Sequence, residues 1–338
     1  MKNKIKKFLP KPLVEMIRKN KMKYNLRKLY RHDFLRFKKS FSSDESSANF
    51  DQLRARLMFY AHSIEKGLSH ENFRAKFGQK ALRDLSRYMN IYSEKKYDKS
   101  DIRYQIALSA LKNYTTFHAE KGIDVEEILS DIFSEEILFD LNQALIGIAG
   151  FLSVSELSKS TNKEKSFEEL SRERVSVRSF SKEKIDFSKI EKAIEISMKS
   201  PSVCNRQPSR VIVIKNKDII SQVLKIQGGF SGYDIPPVLL LVTANNTSFV
   251  SIYERNEGFI DGGLFSMSLL YALEFESVAA CALNAMLSIE QENDIREILS
   301  ISREETLIMF IAVGNFDVNS KVPVSYRDSY VSIMRVID

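Results

Sequence analysis

Through the first half of the chain, apolar residues recur every three or four positions, the period of a helix with one face against a core. Over 50–67, Leu53, Leu57, Tyr60, Ala61 and Ile64 share a face, and Gly67 stands where a residue just past a helix end is expected. The stretches 79–93, 101–121 and 125–156 keep the period, the last through Ile128, Ile132, Ile137, Leu138, Leu141 and Leu145. No run with strand character and turn punctuation precedes residue 160. Residues 41–160 are therefore expected to form an α-helical domain, with 157–166 (LSKSTNKEKS) as a linker.

After residue 167 the pattern changes. Short apolar runs at 211–214, 237–244, 278–283 and 307–313 read as buried strands, and 330–337 (YVSIMRVI) as an apolar strand at the chain end. Between them lie helical patterns. One opens on the capping-box sequence Ser188-Lys189-Ile190-Glu191 and stops near Ser200, because a residue before proline avoids the helical region. Others cover 217–225, 258–275 and a stretch near 289–299. Helices interleaved with four short strands predict a sheet covered on both faces.

Charge separates off a third region. Residues 1–40 hold fifteen Lys or Arg against Glu15 and Asp33, a net +13, whereas the whole chain is +7, so the rest carries −6. The basic stretch reads as an amphipathic helix beginning after Pro12, able to lie on an anionic membrane surface or to pack on its own protein. No nucleic-acid motif accompanies the charge. A Ser-rich connection, 41–50, follows. No apolar run reaches the roughly 18–20 residues of a membrane span, and the basic start lacks the apolar core of a signal peptide. Cys204 and Cys281 show no paired spacing, which suits a reducing cytoplasm, and His32, His62, His70 and His118 show no metal-ligand spacing. His62 and Glu65, three apart, read as a surface pair on a helix rather than as catalysts.

Candidate chemistry lies between residues 174 and 208. In an extended RVSVR, Arg174, Ser176 and Arg178 point one way and Val175 and Val177 the other. Two guanidinium forks around a hydroxyl suit an oxyanion such as phosphate. In the following turn, Pro201-Ser202-Val203-Cys204-Asn205-Arg206-Gln207-Pro208, the amides Asn205 and Gln207 each carry a donor and an acceptor, matching a ring edge that alternates the two.

These motifs, with DGGLFSMSLLYAL, ACALN and IAVGNFDVNSKVPVSYR after them, resemble the FMN-dependent nitroreductase family over about residues 168–338. The resemblance implies an α+β class: a nitroreductase-like α-β-α sandwich, here preceded by the α-helical domain. It implies an FMN-dependent oxidoreductase taking electrons from NADH or NADPH for an unknown acceptor. It places Arg174 at the flavin phosphate beside Ser176, with Arg178 where the family often has Lys or Arg, and Arg327 closing on the phosphate. Pro201, Ser202, Asn205 and Gln207 would lie along the flavin ring and ribityl chain, and Leu283 and Asn284 near its N5. It also implies a homodimer with the flavin between subunits and a C-terminal arm crossing to the partner. No catalytic side chain is called for, because the flavin carries the chemistry. Ser277-Val278-Ala279 stands where the family often has Gly-Leu-Gly, which puts in doubt any backbone there that needs positive φ. The alternative is a degenerate flavin-binding module acting as a docking or membrane-surface adaptor.

Overall fold

The computed structural model of the chain describes residues 10–41 and 48–337. The first nine residues of the basic segment and residues 42–47 of the Ser-rich connection lie outside the described residues. Helix α1 (Lys11–Ser40) starts two residues before the expected point, with Pro12 in its first turn, where a missing N–H costs no hydrogen bond. None of its residues is buried. Met22 and Tyr24, two positions apart and so on different sides, are both more than half exposed. Its anchor is Asp33, which accepts from Arg255 Nε at 2.7 Å and Nη2 at 3.0 Å.

Helices α2 (Phe50–Leu68), α3 (Gln79–Glu94) and α4 (Ile102–Glu120) build the helical core. The side chain of Asn49 accepts from Gln52 N and that of Gln52 accepts from Asn49 N, which closes the first turn of α2. Gly67 does not end this helix. It lies inside it, and a β-carbon there would collide with the ring of Phe77, so glycine serves close packing rather than a left-handed cap. Tyr92, Tyr104 and Tyr114 are fully buried, and each hydroxyl finds an acceptor: the Asp98 carbonyl, the Asp140 carboxylate and the Phe77 carbonyl.

Residues 125–156 break the expected single helix into α5 (Glu126–Ile132), α6 (Glu135–Asn142) and strand β1 (Phe151–Val154). A strand therefore does precede residue 160. Its antiparallel partner is β6 (Ser320–Pro323), far along the chain, so no local hairpin signal could announce it. The expected linker is also structured. Helix α7 (Glu156–Lys159) and a 3-10 turn (Asn162–Glu164) bury Lys159 and Asn162 against the second half.

The second half is an α-β-α sandwich. Strands β2 (Ser209–Ile214), β3 (Val238–Asn245), β4 (Val278–Asn284) and β5 (Glu305–Asn315) form one antiparallel sheet in the order β2-β3-β5-β4. Along β3, Val238, Leu240 and Val242 pack under α9 (Phe187–Ser197) and α11 (Glu257–Phe275). Leu239 and Leu241 face the other way, toward α10 (Lys217–Gln227) and α12 (Ile289–Leu299). Both faces of β3 are buried, which explains why it reads as a continuous apolar run. Helix α9 begins at Asp186, whose carboxylate accepts from Ser188 N at 3.0 Å, so the cap lies two residues before the expected capping box. At the C-terminus, a 3-10 turn (Tyr330–Ser332) and irregular chain replace the expected strand, leaving Val331, Ile333 and Ile337 exposed.

Candidate functional site

The RVSVR segment starts where helix α8 (Phe167–Glu173) stops, with Arg174 as the residue that ends it. Val177 N–H donates to the carbonyl of Ala280 at 3.0 Å, laying the segment along edge strand β4. Val177 is fully buried, while Arg174 and Ser176 are half-buried. Arg178 is only 8% exposed, and its Nε and Nη1 are buried with no hydrogen-bond partner among the described residues. Cys281 of β4 lies within electrostatic reach of Arg178, Lys66 and Arg174. Burial pushes its thiol pKa up while the three cations pull it down, and burial wins. The strand ends on buried Leu283 and exposed Asn284, whose carbonyl accepts from Gln227 Nε2 at 3.1 Å.

The turn from Pro201 to Pro208 is built to hold an unfavourable backbone. Cys204, Asn205 and Gln207 have φ of 49°, 53° and 51°, left-handed values that side chains other than glycine adopt only under constraint. The constraint comes from three directions. The buried carboxylate of Asp261 accepts from Val203 N with both oxygens at 3.2 Å. Ser202 Oγ accepts from Gln207 N at 3.0 Å. Arg206 makes a two-pronged pair with Glu254, at 2.8 and 3.1 Å, and donates to the Ser248 carbonyl. That guanidinium holds the Glu254 carboxyl down to about 2. Cys204, Asn205 and Gln207 are exposed, while Pro201, Ser202 and Gln207 line a small pit with Asp261 and Phe265.

The single chain keeps the two motifs apart. The turn leads into β2, one edge of the sheet, whereas 174–178 lies beyond β4, the other edge. Across the sheet four strand spacings separate them, about 19 Å, and they also lie at opposite ends of the strands, Val177 level with Val238 and Pro208 hydrogen-bonded to Asn245. Arg327 stands after β6, exposed, and donates to the Ser325 carbonyl; among the described residues no hydrogen bond ties it to Arg174 or Arg178. A cleft of about 850 Å³ is lined by Phe180, Phe187, Lys215, Tyr233 and neighbours, and by none of the predicted site residues. Ser277 settles the doubt over positive φ: it adopts φ 55° without glycine, and its Oγ donates to the Lys159 carbonyl at 2.7 Å.

Sequence reasoning missed the residues that support the site. Asp261 was visible in DGGLF, but nothing local signals that its carboxylate caps a turn 58 residues earlier. Lys66 lay in a segment read as ordinary helix surface, yet its ammonium reaches the carbonyl of Gly229 at 3.3 Å. His62 pairs with Glu65 at 3.2 Å as expected, but Glu65 is buried and also accepts from Gly150 N and Ser325 N.

Residues 171–231 match the model of the Nitroreductase family. Among solved structures, the second half of the chain is similar to an NADH dehydrogenase/NAD(P)H nitroreductase from Parabacteroides distasonis, at 19% identity over 50% of this chain and 95% of that one, with a TM-score of 0.44. An NADH oxidase from Clostridium acetobutylicum is 18% identical over 50% and 99% of the two chains, with a TM-score of 0.43. An FMN-dependent nitroreductase from Clostridium difficile is 15% identical over 50% and 98%, with a TM-score of 0.43. No curated protein matches the chain.

Proposed function

We propose that the protein is an FMN-dependent oxidoreductase that takes electrons from NADH or NADPH and passes them to a small-molecule acceptor. The observation that carries this reading is Arg178: a guanidinium about nine-tenths buried, with Nε and Nη1 unsatisfied among the described residues, in a segment that matches the nitroreductase family. Such a group is costly unless an electron-rich partner sits against it. Arg174, Ser176 and Arg178 would hold the flavin at one edge of the sheet, with Arg327 reaching its phosphate. Leu283 and Asn284 would border the ring. When bound, the flavin supplies hydride or single-electron transfer from its own ring; the protein orients it and excludes water.

A homodimer is part of the proposal. One chain keeps the turn carrying Pro201, Ser202, Asn205 and Gln207 across the sheet from the arginines, so a second copy would have to bring its turn to the first copy's arginines. Helix α11 offers a face for it: Ile260, Leu264 and Met267, at helical spacing, are exposed. Among the described residues no helix is long and apolar enough to cross a membrane.

The test is the colour of the purified protein. FMN at one per chain, bleached by NADH or NADPH without oxygen, is the expected result. A colourless protein that takes up no added FMN would favour the adaptor reading, in which α1, without a buried residue, docks on an anionic membrane or another protein.

A further inference from the structure

We propose that Lys66, delivered by the helical half, is a binding residue of the flavin site, where its ammonium and the Arg178 guanidinium together hold electron-rich acceptor atoms of the cofactor. The inference rests on the flavin reading above and adds to it a role for the helical half.

The tip of α2 is clamped to the loop that follows α10. Tyr233 donates its hydroxyl to the Lys66 carbonyl at 2.9 Å and lies 3.2 Å from Ser69 Oγ. The His70 ring stacks on Tyr233 with centroids 3.8 Å apart. These contacts fix the backbone around Lys66, whose side chain is half-buried. That side chain runs toward Gly229 and into the surroundings of Arg178.

The electrostatics there are one-sided. Burial lowers the Lys66 pKa, and the Arg178 charge lowers it further. His70 is lowered too, first by burial, then by Arg74, Lys66 and Arg178. Arg174 is the third cation within reach of Cys281. Among the described residues, none of Lys66, Arg174 and Arg178 forms an ion pair with a carboxylate. An ammonium with three donors has one long carbonyl contact, and a buried guanidinium has Nε and Nη1 unused. Two like charges within electrostatic reach of each other, one buried and one half-buried, destabilise the empty protein, and an acceptor-rich ligand that both can reach offsets that cost. Flavin mononucleotide offers two sources of that chemistry, the phosphate and the carbonyl edge of the ring.

The experiment uses full-length protein stripped of flavin, as wild type, Lys66→Met and Lys66→Arg. FMN and riboflavin are titrated by quenching of flavin fluorescence, and the melting temperature of the flavin-free protein is measured separately. Methionine keeps the stem and removes the charge. The expected result is split in sign: Lys66→Met binds FMN about 10- to 100-fold more weakly yet melts higher than wild type when flavin-free, because a repulsion is gone. Lys66→Arg recovers most of the affinity. A loss confined to FMN places Lys66 at the phosphate; an equal loss with riboflavin places it at the ring, and either supports the proposal. Unchanged FMN affinity in Lys66→Met overturns it while leaving the flavin reading intact. A joint fall in affinity and melting temperature, not recovered by arginine, also overturns it, because the lysine would then only hold the fold together. Wild type that binds neither flavin removes the functional reading and this inference with it.

Discussion

The ammonium of Lys159 lies 2.7 Å from Oε1 of Glu274, and both side chains are almost wholly buried. The lysine also donates to the Glu173 carbonyl at 2.7 Å, and Asn162 donates to the Glu274 carbonyl and carboxylate at 2.6 and 3.2 Å. This network fastens the stretch that reads as a linker both to the end of α8, where Arg174 begins the candidate site, and to α11. Removing one member of a buried pair strands the other charge at about 3–5 kcal/mol. Lys159→Met and Glu274→Met should each lower the urea midpoint by a matching amount. The double variant should lie closer to wild type than either single one; equal additive losses would show that the two residues act independently.

Gly67 and Phe77 give a packing prediction. A methyl group at position 67 meets the Phe77 ring, so Gly67→Ala should destabilise despite alanine's better helix propensity, by about 1–3 kcal/mol. Combining it with Phe77→Leu should cost less than the sum of the two single changes, because the leucine vacates the ring's space. Chemical denaturation of the four proteins reads the coupling.

Acid should loosen the Asp33–Arg255 and Glu254–Arg206 pairs in the same window. The hydrogen bond from Arg255 holds Asp33 at about 2 against an ordinary 3.8, and that from Arg206 holds Glu254 at about 2 against 4.5. Both folded-state values are depressed. Their contribution is therefore complete above the ordinary carboxyl pKa and is lost as pH falls from about 4.5 through about 2. Hydrogen exchange, corrected for intrinsic rates, should show α1 around Asp33 and the 203–207 turn losing protection between those values. Arg255→Met should reproduce the loss around Asp33 at neutral pH and leave the turn alone. Protection at the turn that is unchanged down to pH 2 would mean that the Arg206–Glu254 pair does not hold it.

Elements whose residues answer to their own neighbours were legible in the sequence. The β3 run, buried on both faces, and the α2 face of Leu53, Leu57 and Ile64 needed no distant partner to be read. What escaped was set by residues far apart in sequence. Strand β1 exists because Ser320–Pro323 pairs with it. Gly67 suggested a helix end until the position of Phe77 showed otherwise. At the candidate site, the alternation of Val177 against Arg178 suggested opposite faces, yet both are buried: Val177 sits in a small apolar cluster and Arg178 among other cations. A one-dimensional pattern reports which face a residue takes. It carries no record of what covers that face, which is why Lys66 and Asp261 went unnoticed.

The dimer gives the last prediction, and α11 is where to test it. Among the described residues of the single chain nothing lies within 4 Å of a β-carbon added at Gly263, whereas one at Gly262 would press on Ile308 at 2.7 Å. On intrinsic propensity alone, Gly263→Ala should stabilise an isolated chain by about 0.5–1 kcal/mol. If a second copy backs onto the face of Ile260, Leu264 and Met267, the added methyl group meets that copy instead, and the variant should lose dimer rather than gain stability. Leu264→Lys should be stronger still, since it places a charge in the middle of an apolar contact. Light scattering and flavin content read both. The exposed end of the chain, with Val331, Ile333, Val336 and Ile337 uncovered, makes a separate claim. If it reaches across to the partner, deletion of residues 329–338 should weaken the dimer and release flavin together. A truncated protein of unchanged mass that stays yellow would remove the crossing arm but keep the α11 contact. A full-length protein that is monomeric and still holds flavin would remove both, and the turn of Asn205 and Gln207 would then have no cofactor to meet.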